Sequence, residues 1–391
     1  MAIPLKYNLR NLTVRKMTTL ATAGGIALVV VVTLLLLSLI VGLQKMLAAT
    51  GGEHNLVVMR KGATNDGSSS VTREAVQALR YLPGIARTPD GEPFVSPELI
   101  IQPFGQPKGG GRENMLVRGV SPMAFQVHAQ VRLVAGRMLQ PSLGEAIVGL
   151  SASHRYQGAG LGETLSFGRR SWKVVGIFNA EGSAFESEVW VDVEDLFTDA
   201  NRSSYSGVRL TLAPEADRDA FIRRLAEDPR ISLEATPEVD YYSEQAESAN
   251  TLYVLTSILA LIMGTGAVFG AMNTMFAAVT HRTAEIGTLR ALGFSRATVL
   301  SAFMRESLCL ALVGYLGGVA LGAGAIFVVN SLIHGVAFNL ASFSTAVVTL
   351  RLSPTILFAA LLLAVTMGLL GGFLPARRAA RLGVIEALRR A

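Results

Sequence analysis

The sequence has 391 residues, half of them hydrophobic and only 16% charged, and its mean hydropathy is +0.42. Ordinary soluble domains carry about 25% charged residues, so part of this apolar surface must face lipid. The net charge of +6 does not point to nucleic acid: residues 45–250 hold 21 basic and 26 acidic side chains, and the surplus of basic residues lies beside the apolar runs. The single cysteine, Cys309, excludes an internal disulfide scaffold and reads as a small apolar side chain.

Residues 1–16 form a basic, amphipathic N-terminal segment containing Lys6, Arg10, Arg15 and Lys16. From Lys16 to Lys45 there are 28 uncharged residues, enough to cross about 30 Å of hydrocarbon, which predicts a first span over 17–44. This apolar run exceeds the 7–15 residues of a cleavable signal core, so it is expected to stay as an anchor. Residues 45–250 follow as one large insertion. Strand patterns at 54–60, 207–212 and 231–235, with helical patterns at 71–82 and 217–228, predict an α/β base built from both ends of the insertion. The middle, about 92–200, is rich in Gly, Pro and short β-type runs (114–120, 145–148, 172–178 and 188–193), predicting a β-rich part.

A second span is expected at 251–280, inside an uncharged stretch of 33 residues that as a helix measures about 50 Å. The polar residues 241–247 before it contain neither Gly nor Pro, so a single helix is predicted to run on from the inserted domain. A charged loop at 281–306, a third span at 307–333, a short loop at 334–351, a fourth span at 352–376 and a basic tail at 377–391 complete the chain. The expected fold is therefore a membrane protein of four transmembrane α-helices, with a large, β-rich α/β extracytoplasmic domain between the first and second spans. Arg282, Arg290, Arg296 and Arg305 in the loop, and five arginines after the fourth span, put the loop and both termini in the cytoplasm.

Catalytic signatures are missing. There is no Gly-Lys dipeptide for a phosphate loop, no H-E-x-x-H, no C-x-x-C and no G-x-S-x-G. Gly158–Gly162 reads as a turn before a strand. The span interiors hold no Asp, Glu, Lys or Arg, which argues against a polar path through the membrane; Asn273, their most polar side chain, reads as an interhelical or interfacial amide. Gly264 in the second span, and Gly314, Gly318 and Gly322 in the third, permit close helix approach within one subunit or between two copies. In the 281–306 loop, Ile286, Leu289 and Leu292 fall near one helical face, with Arg282, Glu285, Arg290 and Arg296 around it. Such a helix either lies on headgroups or inserts apolar side chains into a partner's groove.

Arg282, Glu285-Ile286-Gly287, Leu289-Arg290-Ala291, Gly293 and Glu306 resemble the loop of the MacB- and FtsX-type (type VII) ABC transporter permeases, roughly E-R-x-x-E-I-G-x-L-R-A-x-G-A with a following Glu. Pro375–Ala380, Ile385–Arg389 and Trp172–Ile177 resemble further segments of that family, so the likeness covers the whole chain. His281, Phe294 and Gly383-Val384 depart from the pattern. The resemblance implies a bacterial inner-membrane permease that pairs with a second copy or a related subunit and recruits a dimer of ATPase subunits, which bind ATP and magnesium. The permease itself would be no enzyme and hold no cofactor or metal. The resemblance gives the coupling role to Arg282, Glu285, Ile286, Gly287, Leu289 and Arg290. It implies mechanotransmission to the outer domain and export or extraction of an amphiphilic, peptide or lipid-linked cargo, with a periplasmic adaptor and outer-membrane factor as possible partners. Activation of a cell-wall hydrolase in the FtsX manner, and lipoprotein release, are the alternatives it leaves open.

Overall fold

The structure is a computed structural model describing residues 16–228, 231–332, 334–339 and 345–383. These fall into two compact units: one takes its described residues from 1–41, 251–330 and 350–391, the other from 42–250 and 331–349. The first helix, α1 (Lys16–Ala48), belongs mostly to the first unit. Its Val- and Leu-rich run is helical despite β-branching, because a backbone in lipid must satisfy its own amides.

The second unit is built on a ten-stranded mixed sheet. Strand β1 (Asn55–Arg60) precedes helix α2 (Arg73–Arg80), which is N-capped by the Thr72 hydroxyl and buries Val76 and Leu79. Then come β2 (Val95–Ile101), the small β3–β4 pair (Phe104–Gly105, Glu113–Asn114), β5 (Val117–Val120), the turn-like α3 (Ala124–Val127), β6 (Arg132–Gly136), β7 (Glu145–Gly149) and α4 (Leu150–Arg155). Next are β8 (Thr164–Phe167), β9 (Arg170–Asn179), β10 (Val189–Asp192), α5 (Val193–Ala200), β11 (Gly207–Thr211), α6 (Arg218–Glu227) and β12 (Leu233–Pro237).

The sheet order is β12-β1-β11-β2-β5-β10-β7-β9-β6, with β8 on β9. The two ends of the insertion meet as anticipated, β1 lying antiparallel between β11 and β12. The middle is no separate layer: it continues the same sheet through β2. The first half of β2 pairs with β11 and the second half with β5. This hand-over explains how Pro97, which has no N–H to donate, sits inside a central strand: its segment pairs with β11, and the β5 ladder begins at Leu99. Trp172, stacked on Phe167 at 5.2 Å, anchors the main core. A smaller cluster gathers Val120, Phe178, Phe185 and Trp190.

Helix α7 (Glu238–His281) runs unbroken for 44 residues. It is followed by α8 (Thr283–Ala291), α9 (Arg296–Leu332), a hairpin of β13 (Val336–Asn339) and β14 (Thr345–Val348), and α10 (Pro354–Arg381). The hairpin occupies the expected short loop and belongs to the second unit, where Val347 N–H donates to Ser187 Oγ at 2.9 Å. Helices α1, α7, α9 and α10 are long and apolar enough to cross a membrane.

In the helical unit, buried Ile26, Val30 and Leu34 of α1 recur every fourth residue, matching the spacing of Gly314, Gly318 and Gly322 on α9. A methyl group added at Gly314 would lie 2.8 Å from Ala23 O, and one at Gly318 would lie 2.7 Å from Val30 Cβ. These glycines thus pack two spans of one chain together, so they need no second copy to explain them. A methyl group added at Gly264 would meet Met367 Sδ at an ordinary 3.7 Å. On α10, Gly368 and Gly372 meet Ala311 and Ser307, and Ser307 Oγ donates to Gly368 O at 2.6 Å.

Candidate functional site

Helix α8 is seated by three devices. At its start, Arg282 Nη1 contacts Glu306 Oε2 of α9 at 3.0 Å, with both side chains buried. Ile286 is buried among Met275 and Val279 of α7, Val299 and Phe303 of α9, and Ala376 and Ala379 of α10. At its end, Gly293 has φ +93°, Gly293 N–H donates to Arg290 O and Phe294 N–H to Leu289 O. That is the hydrogen-bond pattern of a Schellman stop, and it requires a residue able to adopt the left-handed conformation.

Of the six coupling candidates, Arg282, Ile286 and Gly287 face inward and hold the segment in place. Ile286 is buried against the chain's own helices, so in this structure it is no exposed side chain of α8. Leu289 and Arg290 are half-buried, and Arg290 Nη1 donates to Phe294 O at 3.1 Å. The outward positions are Glu285, Thr288 and Leu292, the last 72% exposed. Asn273 is exposed on α7, eight positions before the helix ends, and no hydrogen bond of its side chain is present among the described residues.

A second constellation, which the sequence reading missed, lies in the sheet unit at the root of α7. Arg118 (β5) grips Glu188 through Nε and Nη2 at 2.7 and 2.6 Å, and Glu98 (β2) through Nη1 at 2.6 Å. Arg209 (β11) holds both Asp66 oxygens at 2.8 Å. Trp190 Nε1 donates to Glu188, Ser96 Oγ to Glu98 and Tyr241 OH to Asp66. Glu238, the first residue of α7, accepts from Gly52 N and Asn55 Nδ2 at 2.9 Å each. Glu98, Arg118, Arg209, His128 and Glu238 are all buried.

Burial alone would raise the Glu98 carboxyl, but His128, Arg118 and Arg209 outweigh it and hold the group well below the usual carboxylate range. The guanidiniums of Arg118 and Arg209 are held above their ordinary value, carboxylate partners overcoming desolvation. The signal that could have found this cluster is a charge at an inward strand position, as in Val117-Arg118-Gly119-Val120 and Gly207-Val208-Arg209-Leu210.

Four helices long and apolar enough to cross a membrane, with a large mixed-sheet domain inserted after the first, define a multi-span membrane protein with an appended domain. A family model described as the MacB-like periplasmic core domain matches residues 19–228, and one described as the FtsX-like permease C-terminal matches residues 257–384. The chain belongs to the MacB- and FtsX-like family of ABC transporter permeases.

The macrolide export ATP-binding/permease protein MacB 1 of Aeromonas hydrophila is 28% identical over 340 residues, 81% of this chain and 50% of that protein. MacB of Photorhabdus laumondii is 28% identical over 319 residues, 76% of this chain and 46% of that one. MacB of Nitrobacter winogradskyi is 36% identical over 182 residues, 46% and 26% of the respective lengths. The chain therefore spans half or less of the length of these relatives. The periplasmic region of MacB from Actinobacillus actinomycetemcomitans aligns with a TM-score of 0.39 at 13% identity, covering 51% of this chain and 94% of that one. The extracellular domain of the ABC-type transporter YknZ from Gram-positive bacteria gives 0.36 at 16%, covering 46% and 99%.

Proposed function

We propose that this chain converts ATP-driven motion of a partner ATPase into work by its inserted domain, exporting or extracting an amphiphilic, peptide or lipid-linked cargo. The observation that carries the reading is the unbroken α7, rooted in the sheet at Glu238 and followed directly by α8, which is seated by Arg282 and Ile286. A continuous helix passes axial displacement along its hydrogen-bonded backbone, whereas a loop would absorb it. In this reading the protein sits in the bacterial inner membrane, the inserted domain lies outside, and α8 with both termini faces the cytoplasm. The ATPase dimer docks on the outward side of α8, two permease copies assemble with it, and a periplasmic adaptor receives the cargo.

The test is Glu285→Lys combined with Leu292→Ser in the full chain, co-expressed with its cognate ATPase. Capture of the ATPase is expected to fall at least tenfold while the permease's thermal midpoint stays unchanged. Full capture by the double variant would overturn the docking assignment.

A further inference from the structure

His128 directly follows α3 and is completely buried. Its Nε2 lies 2.8 Å from Glu98 Oε1 on β2, and its Nδ1 lies 4.0 Å from Glu238 Oε1 at the start of α7. Phe185 and Trp190 contact the ring edge-on, with centroids 4.7 and 5.6 Å away, and fix its plane. Among the described residues, neither Nδ1 nor Glu238 Oε1 has a hydrogen-bond partner. With Nε2 donating to Glu98, a neutral imidazole points its Nδ1 lone pair at a carboxylate oxygen, leaving two buried acceptors face to face. A second proton on the ring turns Nδ1 into a donor, and about 1 Å of movement then closes the gap to hydrogen-bond length.

The charged groups around the ring favour that arrangement. Glu98 and Glu238 face it from β2 and α7, Tyr242 adds a hydroxyl-bearing ring from α7, and Arg118, Glu188, Arg209 and Asp66 stand behind Glu98. Four carboxylates against two guanidiniums leave an excess of negative charge that a proton on His128 reduces.

We propose that His128 is a proton-operated clamp: doubly protonated, it bridges Glu98 and Glu238 and fastens the root of α7 to the sheet. Without that proton, the root is held by Gly52, Asn55 and the Tyr241–Asp66 contact. The contribution is present while the ring carries both protons and is lost when one leaves, so any pH dependence it gives must favour the fastened root on the acid side. It concerns this chain alone, so it stands or falls independently of the ATPase-coupling reading.

Hydrogen exchange by mass spectrometry on the full chain in detergent micelles, at pH 5.5 and 7.5 and corrected for intrinsic rates, tests it at amides 242–246. Opening there is expected to be about tenfold rarer at pH 5.5. His128→Gln and Glu238→Gln should each abolish that difference, while amides of β5 and β10 remain protected, reporting an intact sheet. Should His128→Gln fail to fold, Glu238→Gln decides, because it leaves the His128–Glu98 contact in place. Equal opening at the two pH values in the parent chain, or a pH dependence that survives Glu238→Gln, would overturn the clamp.

Discussion

At Glu98, burial and charge act in opposite directions, and charge wins. Because its carboxyl is held below the unfolded value of about 4.3, it stabilises the fold fully above that pH, and the stabilisation drains away as pH falls towards the folded value. The inserted domain should therefore lose stability progressively below about pH 4, and Glu98→Gln should flatten that acid limb. The chain's two tryptophans, Trp172 and Trp190, both buried in this domain, report the transition by fluorescence. An unchanged acid limb in the variant would count against the cluster. The Arg282–Glu306 pair makes a second case: Arg282→Ala leaves a buried carboxylate alone and should cost about 3–5 kcal/mol, whereas Arg282→Met with Glu306→Leu should be close to neutral. Thermal unfolding of the purified chain separates the two outcomes. At this scale the sequence was only half legible. It exposed the charged motif of α8, but not which of its side chains turn inward, because Ile286, Leu289 and Leu292 are spaced alike and only neighbouring helices tell them apart. The buried cluster stayed hidden for a related reason: Glu98 and Arg118 become partners only through the pairing of β2 with β5.

Among the elements, the packing of α1 on α9 makes the sharpest prediction. Gly318→Leu drives a side chain into Val30 and should destabilise by about 1–3 kcal/mol, while Gly324→Leu, which meets open space, should stay within about 0.5 kcal/mol. Comparing the thermal midpoints of the two variants checks this, and equal midpoints would contradict the helix pairing. The four long apolar helices were legible from uncharged length alone. Strand β2 was not, since Pro97 and Glu98 argue against a buried strand until its split pairing is known. Helix α9 begins at Arg296, well before the apolar run at 307, because the preceding turns bury Val299, Ala302 and Phe303 against the bundle. Hydropathy marks only where a helix enters hydrocarbon, not where it starts.

On the scale of the whole molecule, the proposed function needs the inserted domain and α8 on opposite sides of the membrane. In a Cys309→Ala background, Gly109→Cys should react with a membrane-impermeant maleimide in intact cells, and Thr288→Cys only after the cells are opened; the reverse pattern would refute the topology. The proposed function depends on α7 carrying motion from its junction with α8 to its root in the sheet. Ala246→Pro tests it most directly, since proline removes the bond to the Tyr242 carbonyl and breaks the helix at a cost of about 3 kcal/mol outside the apolar run. In vesicles containing the permease and its ATPase, this variant is expected to bind the ATPase and support hydrolysis but move no cargo. Cargo movement at the parent rate through a broken α7 would contradict it.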